Sequence, residues 1–334
     1  MKMRELINKI RSSAQLASIL EVSGWPKPGN VHRTRNQIDA RYEHFLAGAI
    51  ALAPSIELAA LKGIMAAKGK IELQDIGIGR IIKRAVIDVS KSHSDGNTHL
   101  GICLLFIPLS IASSKSYIEE ECFTPSKIMQ NIKSIIKSTK PVDTIRVYEA
   151  IKMVSSENEL GRKSNGRSPD IYDKNFRRKI QKENITLFDA MMESSTYDTV
   201  AKELTTGMEI SFNIGFKELM KTFEETRDIN ISIVHTYLTI LSKYPDTFIA
   251  RKIGLKREND IKRAVEIGIK ETIWISKEAE EILKLGGLKT EEGRKALWEL
   301  DEKLYRLGKE YNPGTTADLT ASSIMISLLM GLKF

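Results

Sequence analysis

Four short polar segments of the chain carry side chains that can do chemistry, and each lies beside the start or end of a predicted helix. They cover residues 21–39, 95–99, 246–251 and 312–318 and together supply several carboxylates with lysine, arginine and histidine. Carboxylates with oxygen-rich neighbours suit Mg²⁺, which usually bridges protein carboxylate and substrate phosphate, and Lys and Arg supply the remaining phosphate charge. If the fold gathers the four segments at one end of a helical bundle, they predict a magnesium and phosphate site.

The first segment, EVSGWPKPGNVHRTRNQID, cannot continue the helix that precedes it. Pro26 and Pro28 fix φ and lack an N–H donor, and Gly29 permits backbone angles that other residues avoid. A rigid loop of this kind commonly presents binding and catalytic groups from a scaffold. The loop carries Lys27, and Glu21 lies in the preceding helical turn, where the helix dipole disfavours an anion. The alternative is a charged connector between two helices.

The second segment is a polar turn that opens the apolar helix ICLLFIPLSIA. Asn97 or Thr98 is predicted to cap that helix, which leaves free N–H groups at its start that can bind a phosphate. His99 is predicted to lie in the first turn. For this motif in isolation the alternative is favoured, in which the polar residues only cap the helix and His99 packs nearby.

The other two segments are also predicted helix starts. Asp246 opens a helix that carries Arg251 about a turn and a half later. Thr315 or Thr316 is predicted to cap the last helix and to place Asp318 in its first turn, where an anion gains from the dipole. Capping alone would explain these residue types. The last helix is apolar nearly all round, however, which predicts a buried central helix whose polar start faces an interior cleft.

The elements that must position these segments are helices, because apolar residues recur at helical period and no run alternates as a strand does. We predict an all-α fold, a compact multi-helix bundle with a buried apolar C-terminal helix, as a single catalytic domain over 1–334. The second helix is predicted over about 38–67, with Asp39 in its first turn and a kink or division at Pro54. The polar stretch at about 155–185 is predicted to be a solvated loop, or a lid whose Arg162, Lys163 and Arg167 could close over an anion.

Composition limits the classes of function. The 334 residues are 42% hydrophobic and 28% charged, as in an ordinary globular protein, and the formal net charge is +8. That charge favours an anionic partner. Because Lys and Arg are spread along the chain, we expect a small anionic ligand and consider nucleic acid unlikely. Cys103 and Cys122 make no disulfide framework, so we expect a cytoplasmic setting. The apolar run 102–112 is too short to span a bilayer, and we expect no membrane partner.

Several common sites are absent from the sequence pattern. No Walker A loop and no dinucleotide-binding glycine motif occurs between a strand and a helix, and the His and Cys spacing matches no zinc site. Two rival functions stay open on the residues alone. One is a Mg²⁺-dependent nucleotide or N-glycoside hydrolase that uses water as acceptor. The other is a non-catalytic basic helical module that binds RNA.

Five stretches, in this order, resemble one known family: EVSGWPKPGNV with Asp39 after it, GNTHLGI, PDTFIARKIG and NPGTTADLTA. Together they are similar to triphosphoribosyl-dephospho-CoA synthases over nearly the whole chain. The resemblance implies an all-α enzyme that takes ATP and dephospho-CoA, or a related hydroxyl acceptor. It implies transfer of the triphosphoribosyl group to the acceptor 2′-hydroxyl with release of adenine. Mg²⁺ is the expected cofactor, and a homodimer is left open.

The resemblance and the chemistry together assign roles. Breaking an N-glycosidic bond builds oxocarbenium character at the ribose C1, which nearby carboxylates stabilise, while a base takes the acceptor proton. We expect catalytic roles for Asp39, Asp318 and Glu21. We expect nucleotide or phosphate contacts from Lys27, Gly29, Asn97, Thr98, His99, Arg251 and Thr316, and metal binding by Asp246 and Asp318.

The sequence departs from the family pattern at a few positions. Leu100 stands where the pattern has a basic residue, and Gln37 stands where it has a histidine. His32 replaces what is commonly an acid. The run Arg251-Lys252-Ile253-Gly254 replaces an Arg-Gly-Gly. The phosphate and metal residues are therefore better kept than those expected on the acceptor side, and a hydroxyl acceptor other than dephospho-CoA stays open.

Overall fold

The computed structural model describes residues 1–94, 96 and 98–334, and these fold into helices and turns without a strand. The predicted all-α fold is confirmed. Among the described residues, β-type pairing is limited to three isolated bridges between single residue pairs. The α-helices are α1 Met3–Ser23, α2 Tyr42–Ala51, α3 Ala53–Ala67, α4 Ile78–Ser90, α5 Leu100–Glu120, α6 Pro125–Lys137, α7 Pro141–Val154, α8 Glu157–Leu160, α9 Phe176–Lys182, α10 Leu187–Ser194, α11 Thr199–Thr206, α12 Lys217–Thr226, α13 Ile229–Lys243, α14 Thr247–Gly254, α15 Ile261–Lys284, α16 Glu291–Leu307 and α17 Gly314–Leu329.

Short helices of other types connect some of these. Three 3₁₀ helices cover Leu73–Asp75, Gly287–Lys289 and Lys309–Tyr311, and a π-helix covers Ser211–Phe216 just before α12.

The C-terminal helix α17 is a central element of the main core. It packs against α1, α13 and the π-helix, and Ile324 and Met325 are fully buried in it. Its polar side chains do not oppose this burial. The hydroxyls of Thr320, Ser323 and Ser327 each donate to the carbonyl four residues earlier, so they bring no unpaired donor into the core. The predicted buried C-terminal helix is confirmed.

A second core joins α13, α14, α15 and α16. Leu238, Ile249 and Leu297 are among its buried side chains. Helices α14 and α15 approach very closely because glycines face backbone on both sides. A Cβ built on Gly254 would lie 1.7 Å from the Ala264 carbonyl oxygen, and one on Gly268 would lie 1.8 Å from that of Ala250. This contact fixes the position of α14, which carries Arg251.

Two predicted helix starts are wrong in position. Helix α2 begins at Tyr42 rather than near Ile38, because residues 32–40 form two tight turns closed by the His32–Arg35 and Gln37–Ala40 bridges. Asp39 therefore lies in a turn. The predicted division at Pro54 is confirmed, since α2 ends at Ala51 and α3 begins at Ala53.

The last helix begins one turn earlier than predicted. Pro313 occupies the N-cap position, no side chain caps the helix, and α17 starts at Gly314. Asp318 consequently lies in the second turn, so the benefit expected from the first-turn position is not available to it. The backbone N–H of Thr316 donates to Asp246 instead.

The polar stretch at 155–185 is tied to its surroundings. It contains α8 and α9, and Arg162 pairs with Asp260 through a parallel bridge. The Lys163 ammonium contacts the Glu193 carboxylate, and the Lys163 N–H donates to Asp170 at 2.6 Å. The motion of a lid and the single-domain organisation both stay predictions.

Two helical stretches, Tyr42–Ala67 and Leu100–Glu120, are long and apolar enough by length and composition to cross a membrane. The second extends the apolar run that the sequence predicted to be too short. About four-fifths of its most apolar window, 78%, is buried inside the protein. The core helix of a soluble protein passes the same test, so these stretches are weak support for a membrane span.

Candidate active site

A cavity of about 800 Å³ lies where the starts of α5, α11 and α17 meet the end of α1 and one face of α14. Among the described residues, its charged lining consists of six acids and four bases, so acids outnumber bases although the whole chain is basic. They are Glu21, Asp39, Glu159, Asp170, Asp198 and Asp318, with Lys152, Lys163, Arg251 and Lys252.

A second depression of about 840 Å³ lies along the exposed face of α16. All of its described lining residues belong to that one helix. No helix starts converge on it, so the first cavity is the candidate site.

Asp318 is a partly buried carboxylate of the cavity lining. Its side chain lies directly against Gly101, since a Cβ on that glycine would fall 1.9 Å from Oδ2. The backbone N–H of Ile102 hydrogen-bonds the same carboxylate. The start of α5, which the sequence predicted to bind phosphate, therefore holds Asp318. Burial raises the pKa of Asp318 well above its usual range, and the nearby Glu21 and Asp246 charges raise it further.

Glu21 and Lys27 form a buried ion pair at the end of α1. Their side chains are 2% and 0% exposed, and the ammonium donates to the carboxylate and, at 3.3 Å, to Asn30 Oδ1. Burial raises the pKa of Glu21, and the Lys27 ammonium opposes that shift. Glu21 and Asn30 line the cavity, whereas Lys27 lies behind them. The lysine of the rigid loop thus contacts a protein carboxylate, Glu21.

Asp246 joins the starts of α14 and α17. Its Oδ1 accepts the N–H groups of Phe248 and Ile249, and its Oδ2 accepts the N–H and the hydroxyl of Thr316 at 2.7 and 2.8 Å. Neither Asp246 nor Thr316 is among the described residues that line the cavity. The geometry favours a positioning role for both, and the metal and phosphate contacts expected of them stay predictions.

The last turn of α14 presents two adjacent cations to the cavity. The Arg251 guanidinium lies 3.8 Å from the Asp198 carboxylate and donates to the Glu159 carbonyl at 3.2 Å. Lys252 lines the cavity beside it, and the Phe248 ring lies under both cations. Asp198 caps α11 by accepting the Ala201 N–H at 2.9 Å. Its place in the cavity could not have been distinguished in sequence from ordinary capping.

The junction before α5 places one predicted residue at the cavity and one behind it. Thr98 lines the cavity, and its hydroxyl lies 2.9 Å from His93 Nε2 and 2.7 Å from His99 Nδ1. His99 is the N-cap residue of α5 and is buried, with Nε2 2.9 Å from the Ser18 hydroxyl. Burial lowers the pKa of His99 to about 3, so it is a neutral, packed imidazole. Asn97 lies outside the described residues.

Two further predicted residues belong to the loop before α2. Asp39 lines the cavity at its mouth, is half exposed and pairs with Lys309 at 2.8 Å, which lowers the pKa of the carboxyl group against the effect of burial. Gly29 adopts φ of +71° and donates its N–H to the buried Asp301 at 3.0 Å. Gly29 is not among the described lining residues, and this contact holds the loop in place.

The structure therefore divides the predicted residues into those that line the cavity and those that lie behind its lining. Five of them line the cavity, namely Glu21, Asp39, Thr98, Arg251 and Asp318. Five lie behind it and hold the lining, namely Lys27, Gly29, His99, Asp246 and Thr316. Sequence reasoning assigned no role to Asn30, Lys252 and Asn312 in the lining, although Asn30 and Asn312 lie within segments that were singled out and Lys252 directly follows one. It also missed the apolar wall from α7, α10 and α11, which sequence does not distinguish from core.

No group of three His, Cys, Asp or Glu side chains in the described part of the chain is arranged to hold a metal ion. Mg²⁺ commonly uses one or two carboxylates together with substrate phosphates. The excess of acids in the lining, Asp318 among them, fits a cation that arrives with an anionic substrate.

Comparison with known proteins now identifies the chain. The family model of CitG, ATP:dephospho-CoA triphosphoribosyl transferase, matches residues 7–333. The chain belongs to this family. It is therefore a transferase that uses ATP, and the family's substrates are ATP and dephospho-CoA. None of the curated proteins matches it.

A solved structure supports membership in the CitG family. It is a protein from Archaeoglobus fulgidus that carries the provisional assignment of triphosphoribosyl-dephospho-CoA synthase. The two chains are 26% identical, and the match covers 86% of this chain and 100% of the other with a TM-score of 0.57. The all-α fold expected from the family resemblance is confirmed in this chain.

Proposed function

We propose that this cavity transfers the triphosphoribosyl group of ATP to the 2′-hydroxyl of dephospho-CoA. The C1′–N9 bond of ATP breaks, a bond forms between C1′ and the acceptor oxygen, and adenine leaves with the electron pair and gains a proton. The hydroxyl proton passes to a base on the enzyme. The observation that carries the proposal is the convergence of the buried Glu21 and the partly buried Asp318 with Arg251 in one cavity.

Carboxylates are the groups that this reaction needs at the sugar. The transition state carries positive charge on the ribose ring, which a preorganised carboxylate in a water-poor cavity stabilises. We assign this role to Glu21, because the Lys27 ammonium favours its ionised form and Asn30 helps to hold that ammonium.

Asp318 is the group that we assign to proton transfer. A carboxylate that accepts a hydroxyl proton works better when its pKa is raised towards the working pH. Burial and neighbouring carboxylates raise the pKa of Asp318, and Gly101 and the Ile102 N–H fix its orientation. Asp39, which is half exposed and paired with Lys309, lies at the mouth and is better placed to contact a substrate hydroxyl than to move a proton.

The phosphates require positive charge that the lining supplies only in part. Arg251 is the guanidinium that we assign to the triphosphate, with its planar donors suited to phosphate oxygens. Mg²⁺, when bound with ATP, would supply the remaining charge, and Asp198 is the cavity carboxylate beside Arg251 that would hold it. A net acidic lining is a poor site for free triphosphate and a suitable one for its magnesium complex.

The apolar wall supports an acceptor longer than a nucleotide. Tyr148 and Ile151 of α7, Met191 of α10 and Val200 of α11 line the cavity away from the helix starts. Dephospho-CoA carries a long, weakly polar arm beyond its nucleotide, and such an arm suits a wall of this composition. Water, the acceptor of a hydrolase, would not need this apolar wall.

The test is the purified protein with Mg²⁺, ATP and dephospho-CoA, followed by mass spectrometry of the products. We expect adenine and triphosphoribosyl-dephospho-CoA in equal amounts, and neither without Mg²⁺. Adenine that appears equally fast without dephospho-CoA, together with free triphosphoribose, would indicate a hydrolase. Steeply salt-dependent RNA binding without adenine would indicate a basic binding module.

The Asp318→Asn variant tests the site itself. The amide keeps the size of the side chain and the acceptor for Ile102, but it cannot take a proton. We expect product formation to fall at least a thousandfold, of the order of ~4 kcal/mol in the barrier. Asp75→Asn, an exposed carboxylate outside the cavity, is the matched control and should keep full activity. A folded Asp318→Asn variant with near-normal turnover would show that the site is misplaced.

We also infer a cytoplasmic setting, which the two free cysteines support, and we leave a homodimer to be measured by light scattering. Nucleic acid as partner finds little support, because many of the lysines and arginines are engaged in ion pairs with Asp or Glu, among them Arg11, Lys83 and Lys303.

A further inference from the structure

Lys252 has features that the proposed roles of Glu21, Asp318 and Arg251 do not use. It lines the cavity and is only partly exposed. Its ammonium donates one long hydrogen bond, at 3.4 Å, to the Lys309 carbonyl oxygen. Among the described residues, no carboxylate lies within 4.0 Å of it. A partly desolvated ammonium with so little compensation is a cation available to an anionic ligand.

The side chain is also held in place beside a second cation. Phe248 is four residues before Lys252 and three before Arg251, so both cations lie on the same face of α14. The Lys252 Nζ lies 3.9 Å and the Arg251 Cζ 5.2 Å from the centre of the Phe248 ring. The ring stabilises both charges and Asp198 partly offsets that of Arg251, so the repulsion between the two cations is only partly compensated. An anion that contacts both would relieve that repulsion.

The geometry points to Lys252 and Arg251 as a two-cation clamp for a phosphate chain, with Lys252 as a specificity-determining residue. The inference rests on the proposed function in one respect, that the substrates bind in this cavity. The shared chemistry is a phosphoanhydride, which both substrates carry: the triphosphate of ATP and the pyrophosphate of dephospho-CoA. The Asp39–Lys309 ion pair lies beside this clamp, on the side towards the mouth of the cavity.

The titration of Lys252 gives the clamp a pH dependence. Burial, with the charges of Arg251 and Lys309, lowers the pKa of Lys252 to about 8, against Asp39 and Asp246, which raise it. A phosphate between the cations would raise that pKa again, so phosphate binding takes up protons near neutral and mildly alkaline pH. We expect affinity for a phosphate chain to fall as the pH rises above about 8.

The experiment measures equilibrium binding by calorimetry and needs no turnover. Tripolyphosphate, ATP and dephospho-CoA are titrated at one fixed Mg²⁺ concentration into the wild type, Lys252→Met and Lys252→Arg. Loss of one charge-assisted contact should weaken binding roughly tenfold to a hundredfold in Lys252→Met, whereas Lys252→Arg should stay within about threefold of the wild type. Lys256→Met, exposed just beyond α14 and outside the cavity, is the matched control and should bind as the wild type does.

The arms separate the two phosphate sources. Weakened tripolyphosphate and ATP with unchanged dephospho-CoA places the clamp on the donor, and the reverse result places it on the acceptor. The clamp is overturned if Lys252→Met binds all three ligands as tightly as the wild type, or if the wild type binds none of them. Failure of the proposed function would appear separately, as absence of adenine and of transfer product in a protein that still binds these ligands.

Discussion

At the scale of single residues, the site is built from ionisable side chains that are buried beside one another. Glu21, Lys27 and Asp246 are nearly inaccessible to solvent, and the partly buried Asp318 lies near enough to Glu21 and Asp246 for their charges to raise its pKa. Each is held by specific partners, because a buried charge without a partner costs several kcal/mol. The arrangement gives the cavity carboxylates with unusual pKa values, which is what acid–base chemistry at a sugar requires.

The Lys27→Met variant tests the buried pair. It leaves the Glu21 carboxylate buried without its ammonium, so we expect the free energy of unfolding at pH 7 to fall by about 3–5 kcal/mol. The loss should shrink at pH 5, because the unpaired carboxyl group then takes up a proton and becomes neutral. Urea denaturation followed by circular dichroism measures both values.

The double variant Lys27→Met/Glu21→Gln is the control for that prediction, since it removes both charges and should regain most of the lost stability. If the single variant costs less than about 1 kcal/mol at both pH values, the pair is not the buried contact described here.

At the scale of elements, α14 is the part whose placement decides the phosphate side of the cavity. It is fixed at its start by Asp246, which reaches α17, and along its length by the close approach to α15. Both contacts leave almost no room for adjustment. Substitutions in these contacts should therefore displace Arg251 and Lys252, even where the substituted residue is far from the cavity.

The Gly268→Ala variant tests the α14–α15 contact. Its new methyl group would overlap the Ala250 carbonyl oxygen, which is backbone and cannot turn away. We expect a loss of about 1–3 kcal/mol in stability and weaker binding of tripolyphosphate, because α14 must shift. Lys270→Ala, on the exposed side of α15, should change stability by less than about 0.5 kcal/mol and leave binding unchanged.

The Asp246→Asn variant separates positioning from metal binding. Both carboxylate oxygens accept N–H or O–H groups, so an amide nitrogen at Oδ2 would face the Thr316 N–H with no acceptor. We expect a loss of about 1–3 kcal/mol in unfolding free energy, measured in the presence of a chelator. Thr316→Val keeps the backbone donor and should lose less. A full-stability Asp246→Asn protein with a raised Mg²⁺ requirement would instead favour the metal assignment.

At the scale of the whole molecule, two buried histidines contribute to the response to acid. Burial lowers the pKa of His99 to about 3 and that of His235 to about 4, and His235 Nε2 accepts the Leu288 N–H at 3.1 Å. Both imidazoles are neutral in the folded protein. In the unfolded chain they take up protons below pH 6.5, so stability is complete above that pH and falls as the pH falls towards 4.

We expect each of these histidines to remove about 3 kcal/mol of stability between pH 6.5 and 4. Glu203 acts in the opposite direction, because burial raises its pKa to about 7 and its protonation favours the folded state as the pH falls. The His235→Gln variant keeps an acceptor for Leu288 and does not titrate. Urea denaturation across this pH range should show a smaller acid-induced loss for it than for the wild type, and equal slopes would contradict the prediction.

The sequence by itself determined the local features of this protein. Helical periodicity specifies an all-α chain, the apolar C-terminal run specifies a buried α17, and Pro54 divides α2 from α3, because these depend on neighbouring residues. The order of polar helix starts was also enough to indicate the family.

Tertiary structure alone decided which polar residues reach the cavity. Lys27 is paired with Glu21, Asp246 accepts a hydrogen bond from Thr316, 70 positions later in the sequence, and Asp318 packs against Gly101. Nearly half of the residues predicted for the site therefore support the cavity lining and do not form it. The physical reason is that a buried polar group takes whichever partner packing brings within hydrogen-bond distance. Residue type and spacing indicate that a partner is needed, and only the packed helices select it.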